Sequence, residues 1–352
     1  MKVLIVGQGI AGTVLHFQLL KEGIQAIVAD VKMPGSSSVA AAGIINPLTG
    51  RKFVKSWMFD ELLPVFLKCY RELSELLDCQ IIQPLELFRY LKDENQYLHW
   101  QQKMEDENYR HFCSPEIDKL TDNDGDYLFR VMVMQAYQVN MNFLLSRYRE
   151  YLIENDLLIN TEFNYQEVKP HTERTLYQDE EFDYIIFCEG FRIMENPYFK
   201  YLPVIPNLGK ALICDIPGIK QLSGIKKRNL ACNWEAKGHW YGASMEVWNG
   251  DWSALDEAPD DLVEALKDDF PGAGNNVGLL AGIRPTVKDR RPILGPHPEY
   301  NSLICFNGLG TKGVSLVPLM AEWLCNWMVH SAAIPKEVSV KRWERLYQVN
   351  MN

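Results

Sequence analysis

A chain of 352 residues with 47% hydrophobic and 23% charged side chains exceeds what one hydrophobic core usually supports and predicts two lobes of ordinary globular composition. Its 36 Lys and Arg against 46 Asp and Glu give a net charge of −10 with no basic block, which argues against nucleic acid or another polyanionic partner. No apolar run approaches the ~20 residues of a membrane span, Met1-Lys2 leads into a strand in place of a signal peptide, and the eight cysteines form no C-x-x-C pair, so a cytoplasmic protein with reduced core thiols and no membrane contact is expected.

The first predicted element is the buried strand Lys2-Val3-Leu4-Ile5-Val6, which runs into Gly7-Gln8-Gly9-Ile10-Ala11-Gly12. Three glycines at this spacing permit a tight turn, close approach of backbone to a pyrophosphate, and close packing of helix on strand. A helix is predicted from Thr13 to Lys21, its N-terminal amides aimed at phosphate, and Gly23 stops it. A second strand, Ile24 to Ala29, ends at Asp30, placed to accept hydrogen bonds from ribose hydroxyls, which favours an unphosphorylated ribose.

The small-residue stretch Gly35 to Gly43 suits backbone passing close to a ligand. Leu62, Leu63, Phe66, Tyr70, Leu73, Leu76 and Leu77 carry helical spacing over Asp60 to Leu77 and read as core. Strands at Leu85 to Leu91 and Tyr127 to Met134 flank a polar segment, Asp93 to Asp126, and mark the start of a second domain. A helix over Met141 to Glu154, a strand near Glu162 to Val168, and a buried strand from Asp183 to a glycine, Gly190, read as a return to the nucleotide lobe.

Lys210 to Ile216, Asn229 to Trp234 and His239 to Val247 read as strands of a broad second sheet, and Pro259 to Phe270 as a helix with an acidic first turn. From Gly278 the chain is expected to rejoin the nucleotide lobe, closing with the strand Leu303 to Phe306, the turn Asn307-Gly308-Leu309-Gly310-Thr311-Lys312-Gly313, and a helix over Val314 to Val329. The boundaries are therefore 1–80, 136–208 and 278–352 for the nucleotide lobe, and 81–135 and 209–277 for the other. No H-E-x-x-H or Cys/His cluster points to a metal.

Four blocks in order resemble the D-amino-acid oxidase superfamily, which includes glycine oxidase and sarcosine oxidase: the amino-terminal glycine motif with Asp30, Ser38 to Gly43, Asp183 to Gly190, and Gly282-x-Arg284-Pro285-x-x-x-Asp289-x-x-Pro292-x-x-Gly295 followed by the turn at 307–313. Gly-Leu-Gly-Thr-Lys-Gly is similar to the FAD oxidase half of the tRNA wobble-uridine modification enzyme, whose methyltransferase half has no counterpart here. The resemblance implies an α/β fold, with a Rossmann-like FAD-binding lobe assembled from discontinuous segments and a substrate lobe on a large mixed or antiparallel sheet. It implies oxidation of a small amine or amino acid to an imine by hydride transfer to flavin N5, with reoxidation by oxygen or another electron acceptor. A flavin dehydrogenase serving an electron carrier, or a noncatalytic FAD-binding or sensing protein, are the alternatives.

The implied cofactor-binding set is Gly7, Gly9, Gly12, Asp30, Ser38, Gly43, Val168, Gly190, Gly308, Gly310, Thr311 and Gly313. Arg284 becomes a bidentate clamp for a substrate carboxylate, against an ordinary inter-domain arginine. Lys312 becomes a cation near the flavin pyrimidine carbonyl, against a solvated lysine. The region Gly278 to Asp289, which carries the linking cysteine in sarcosine oxidase, has none here, so FAD is expected to be noncovalent. His16, His239 and His297 read as structural, and Trp240 and Tyr241 are open between cavity lining and packing.

Overall fold

Alternate residues of the strand Lys2–Val6 enter two different cores. Val3 and Ile5 join Val14, Leu15 and Phe17 of the following helix, whereas Leu4 and Val6 join Ile185, Phe187 and Phe199 on the opposite face. Burial on both faces is why the sequence is apolar at each position from Val3 to Val6 instead of alternating. The computed structural model describes residues 1–121, 125–171, 173–234, 238–274 and 278–351.

This strand lies within a six-stranded sheet of order Ile293–Pro296, Leu303–Asn307, Tyr184–Phe187, Lys2–Val6, Gln25–Ala29, Leu158–Ile159, in which every neighbouring pair is parallel except the first. The helix Ile10–Lys21 is buried from Ile10 to Leu19 and packs beside Gly313–His330. A helix enclosed in this way has no polar face to present.

The second layer is a ten-stranded sheet. Its path runs Glu246–Val247, Val204–Cys214, His239–Gly242, Leu230–Asn233, Ser223–Lys226, Ile82–Leu91, Phe129–Val139, Ile44–Ile45, with Gly278–Val287 pairing to Val204–Cys214 and Cys113–Lys119 pairing to Phe129–Val139. Most pairs are antiparallel, while Ser223–Lys226 and Ile82–Leu91 run parallel. The helix Asp260–Asp269 covers part of it through Leu262, Ala265 and Leu266, which meet Leu212 and Tyr241.

Several elements differ from the sequence reading. The first helix begins at Ile10, three residues before Thr13, because Ser38 Oγ accepts the Ile10 amide at 3.1 Å and so supplies the partner an N-terminal turn needs. The polar segment contains a helix, Glu94–Glu105, capped by Asp93, whose carboxylate accepts the Gln96 amide at 2.8 Å; only Trp100 of it is buried, too little for an apolar period to register. No single strand covers 162–168. Leu158–Ile159 joins the parallel sheet, and Val168–Pro170 opens a three-stranded meander with Thr175–Tyr177 and Glu180–Phe182. Gly278–Val287 stands in the large sheet, antiparallel to Val204–Cys214 in a register from Val204 opposite Val287 to Ile213 opposite Gly278. The chain rejoins the parallel sheet at Ile293.

Among the described residues no helix is long and apolar enough to cross a membrane, and no three His, Cys, Asp or Glu side chains are grouped as a metal ion requires. All eight cysteines are free, and all but Cys79 are buried.

Candidate active site

A crevice of about 1070 Å³ opens beyond the carboxyl ends of Lys2–Val6 and Gln25–Ala29, where parallel sheets commonly take ligands. Gly7, Gly9, Asp30, Ser38, Gly190, Gly310 and Gly313 line it. Its glycines serve different ends. Gly7 has φ +100°, and a Cβ there would stand 2.7 Å from Cys188 O; a Cβ on Gly12 would stand 1.9 Å from Gly7 O. Those two are demanded by the protein's own packing. Gly9 has an ordinary φ of −79°, and a Cβ would meet only Ser38 Oγ, at 3.1 Å. The backbone does not require glycine at that position, and the Ser38 hydroxyl is the one group that an added Cβ would crowd.

Asp30 Oδ1 accepts the Gln8 amide at 2.9 Å, and Oδ2 meets Arg149 Nη1 at 2.6 Å. Arg149 also donates to Gln8 Oε1, Asn160 Oδ1 and the Asp30 carbonyl, so one buried guanidinium ties the helix Met141–Glu154 to the end of the second strand. A carboxylate has about four acceptor positions, and Asp30 retains capacity for ribose hydroxyls on the crevice side. Replacing Asp30 with alanine strands Arg149, so the apo-protein should lose about 3 kcal/mol as well as cofactor affinity. Adding Arg149→Met should restore most of the fold stability but none of the affinity. Denaturation of apo-protein checks this, and an Asp30→Ala protein as stable as the parent would show that the pair is not structural.

Glu189 lines the crevice half-buried, accepting from Tyr165 Oη and, at 2.9 Å, from Asn196 Nδ2; desolvation raises its carboxyl to about 7. Asn307 closes this end. Its Nδ2 donates to Gly190 O at 2.9 Å, and its Oδ1 accepts the Gly308 amide at 2.7 Å.

A second cavity of about 880 Å³ shares Ile10, Ser37, Ser38, Gly310 and Gly313 with the crevice. Gly43, Thr311, Arg284 and Lys312 line it, while Gly12, Gly308 and Val168 line neither space. Val168 packs in the core with Tyr177 and Phe182, and a Cβ on Gly308 would stand 2.6 Å from Val287 Cγ2. Arg284 is half-buried, donates from Nη1 to Ser244 O at 3.3 Å, and meets no carboxylate among the described residues. Desolvation lowers its pKa. Its guanidinium lies over Gly209, where a Cβ would come within 1.9 Å of Nη2. Lys312 Nζ donates to Ser56 Oγ at 3.2 Å, and its pKa is lowered by burial and by Arg291 and Arg290.

Strand alternation separates the open candidates in His239–Gly242. Trp240 faces the cavity with its indole N–H on Ala40 O at 3.0 Å; Tyr241 turns the other way and donates to Asp269 at 2.8 Å; His239 Nδ1 accepts the Ile216 amide at 3.0 Å. His16 is buried between Tyr148 Oη at 2.7 Å and Ala26 O at 3.1 Å. A carbonyl can only accept, so Nε2 carries the proton and Tyr148 donates to Nδ1. Burial lowers His16 to about 4, a structural histidine.

The family model for FAD-dependent oxidoreductases of the DAO type matches residues 2–327. The chain belongs to this family. Solved structures share its fold: iminodiacetate oxidase from a Chelativorans species (18% identity, 97% of this chain and 98% of that one, TM-score 0.76), glycine oxidase from Geobacillus kaustophilus (18%, 94% and 95%, 0.74), and L-proline dehydrogenase from P. horikoshii (13%, 98% and 98%, 0.72).

The residues of this FAD-dependent oxidoreductase fit its cofactor. Gly9 lines the crevice with only the Ser38 side chain near an added Cβ, and Gly190 and Gly310 line it with no atom within 4 Å, a cradle that Cβ atoms would fill. Sequence reasoning missed Arg149, Asn307 and Ser244. Each acts through a partner distant in the chain; Arg149 and Ser244 sit in no motif, and Asn307 opens the glycine turn at 307–313 without a role assigned to its side chain.

Proposed function

We propose that the chain oxidises an amine or amino acid to the imine, with FAD in the crevice that holds Asp30 and the substrate in the cavity that holds Arg284. In this reading the six-stranded sheet and its helices form the cofactor lobe and the ten-stranded sheet the substrate lobe. The observation that carries the reading is the junction of the two spaces at Ser37, Ser38, Gly310 and Gly313, with a desolvated arginine lacking a carboxylate partner on the substrate side. The neighbours named for oxidation of glycine and of iminodiacetate support it.

Bound FAD supplies the hydride acceptor, which no side chain can provide. The chain's own residues bind and orient. Arg284 offers a planar fork that holds a carboxylate bidentately and so fixes the carbon bearing the amine. Trp240 and the Ala40–Ala42 stretch form an apolar wall that keeps water out. Lys312 places an ammonium at the junction, where it stabilises negative charge developing on the cofactor side. No dedicated base is required when the amine is bound neutral.

Purified protein should be yellow, and acid precipitation should release the flavin to the supernatant, since Gly278 to Asp289 lacks cysteine. Anaerobic mixing with a panel of amino acids and N-methyl amines should bleach the flavin for a carboxylate-bearing subset. No bleaching by any of them would sink the reading. Readmission of air should then release peroxide; recolouring only with an artificial carrier would assign the electrons to a carrier protein or quinone, the role that the likeness to a dehydrogenase keeps in view.

A further inference from the structure

In a protein of net charge −10, the described residues lining the substrate cavity include eight Lys or Arg and no Asp or Glu. Arg284 accounts for one carboxylate. The other cations concentrate elsewhere on the wall, around Arg89 and Lys226.

These two are direct neighbours across the parallel pair Ile82–Leu91 and Ser223–Lys226, one opposite the other in the register. Their flanking partners in the same row are Val131 and Leu230, both apolar. Like charges placed opposite each other destabilise a sheet, and here no carboxylate sits in the row to offset them. Arg89 is only 9% exposed. It donates to Leu48 O at 3.3 Å and Gly50 O at 3.0 Å and stacks on Phe53. Lys226 Nζ donates to Arg228 O at 2.7 Å. Carbonyl oxygens satisfy N–H donors without neutralising charge.

Burial lowers Arg89 to about 10, and burial together with Arg89 lowers Lys226 to about 8. Asp269 offsets this only in part, since its oxygens already take the hydroxyls of Tyr127 and Tyr241 and the amides of Arg228 and Asn229. Lys92 and Lys227, over the Tyr127 ring at 5.1 and 5.5 Å, add positive charge to the same wall. A desolvated like-charge pair costs stability by itself and is relieved by an anion.

We propose that Arg89 and Lys226 form a second anion-binding subsite, and that the substrate carries a further oxyanionic group, a carboxylate or a phosphate, besides the carboxylate held by Arg284. This rests on the proposed amine oxidation in the same cavity. The charged group at the far end of the substrate fixes its orientation, and the cavity selects against amino acids that bear a single anion.

The test uses holo-protein under anaerobic conditions, titrated with N-methylglycine, N-(2-carboxyethyl)glycine and N-(2-phosphonoethyl)glycine while flavin bleaching is followed. The two-anion compounds should bind about 10- to 100-fold more tightly than N-methylglycine, the range for charge-assisted hydrogen bonds. Whether the carboxyethyl or the phosphonoethyl compound leads names the group. In Lys226→Gln the ratio of two-anion to one-anion affinity should fall toward one, and Lys226→Arg should keep most of it, a pattern that a packing role would not produce. No preference for two anions in the parent protein, or an unchanged ratio in Lys226→Gln, overturns the proposal.

A second measurement is independent of turnover. Calorimetry with inorganic phosphate on Arg284→Ala holo-protein should show binding that disappears in Arg284→Ala/Lys226→Gln; equal binding by both also overturns the subsite. If phosphate binds in this Lys226-dependent way while no amine bleaches the flavin, the subsite stands and the amine-oxidation reading falls.

Discussion

Replacing Arg284 with alanine will leave the flavin spectrum and the fold intact and lower kcat/KM for an amino acid by about 10²–10³-fold. Two charge-assisted hydrogen bonds to a carboxylate are together worth about 3–4 kcal/mol in a desolvated site, and each 1.36 kcal/mol is a factor of ten. The fold should survive because no carboxylate among the described residues depends on this guanidinium; its protein partner is the Ser244 carbonyl. Lysine should rescue poorly, since it offers a point charge in place of a planar fork. Gly209→Ala supplies an independent route to the same defect, because the new Cβ would occupy the guanidinium's own place, within about 2 Å of Nη1, Nη2 and Cζ. The deciding comparison is between an amino acid and its decarboxylated amine. The loss should be large for the first and small for the second. Equal losses would mean that Arg284 supports the fold or the cofactor, and the substrate would then be an amine without a carboxylate.

The second large effect separates two glycines of one motif. Gly9→Val should still fold, its apo-protein losing only about 1 kcal/mol, because φ −79° suits a branched residue while its Cβ comes 3.1 Å from Ser38 Oγ, the acceptor of the Ile10 amide at the start of the helix. It should retain no FAD, since the side chain projects into the crevice. Gly12→Ala should show the opposite order of events. Its Cβ would meet Gly7 O at 1.9 Å, which pushes the helix Ile10–Lys21 off the strand and destabilises apo-protein by about 3 kcal/mol, with cofactor loss following from the damaged fold. Apo-protein denaturation and flavin titration read the two effects separately. A Gly9→Val protein that still copurifies with FAD would remove Gly9 from the cofactor site.

The nucleotide half was legible because its signals are short-range. A strand buried on both faces is apolar at every position, and the glycines mark places where the chain meets itself or a ligand within a few residues. Periodicity also located the helices Phe59–Leu76 and Met141–Glu154 closely. It failed on Glu94–Glu105, where only Trp100 is buried, and on 162–168, where the chain makes a short helical turn between strands of two sheets. The sequence reading returned the chain to the nucleotide lobe from Gly278, whereas Gly278–Val287 pairs with Val204–Cys214, distant in sequence, and the chain rejoins the six-stranded sheet at Ile293. A net charge also conceals its distribution. The −10 that disfavours a polyanionic partner coexists with a cavity wall free of acidic side chains among the described residues.

The sequence by itself therefore determined the dinucleotide motif from Gly7 to Asp30, whose residue types stand at fixed local spacing, and the resemblance of four separated blocks pointed to FAD and to Arg284 as the residue to test. Only the tertiary structure decided that Arg149 holds Asp30, that Gly209 makes room for Arg284, that Trp240 and not Tyr241 faces the cavity of Arg284, and that Arg89 and Lys226 stand side by side. Each of those is a meeting of segments far apart in the chain. Sheet register and burial bring them together, and neither is written in the spacing of neighbouring residues.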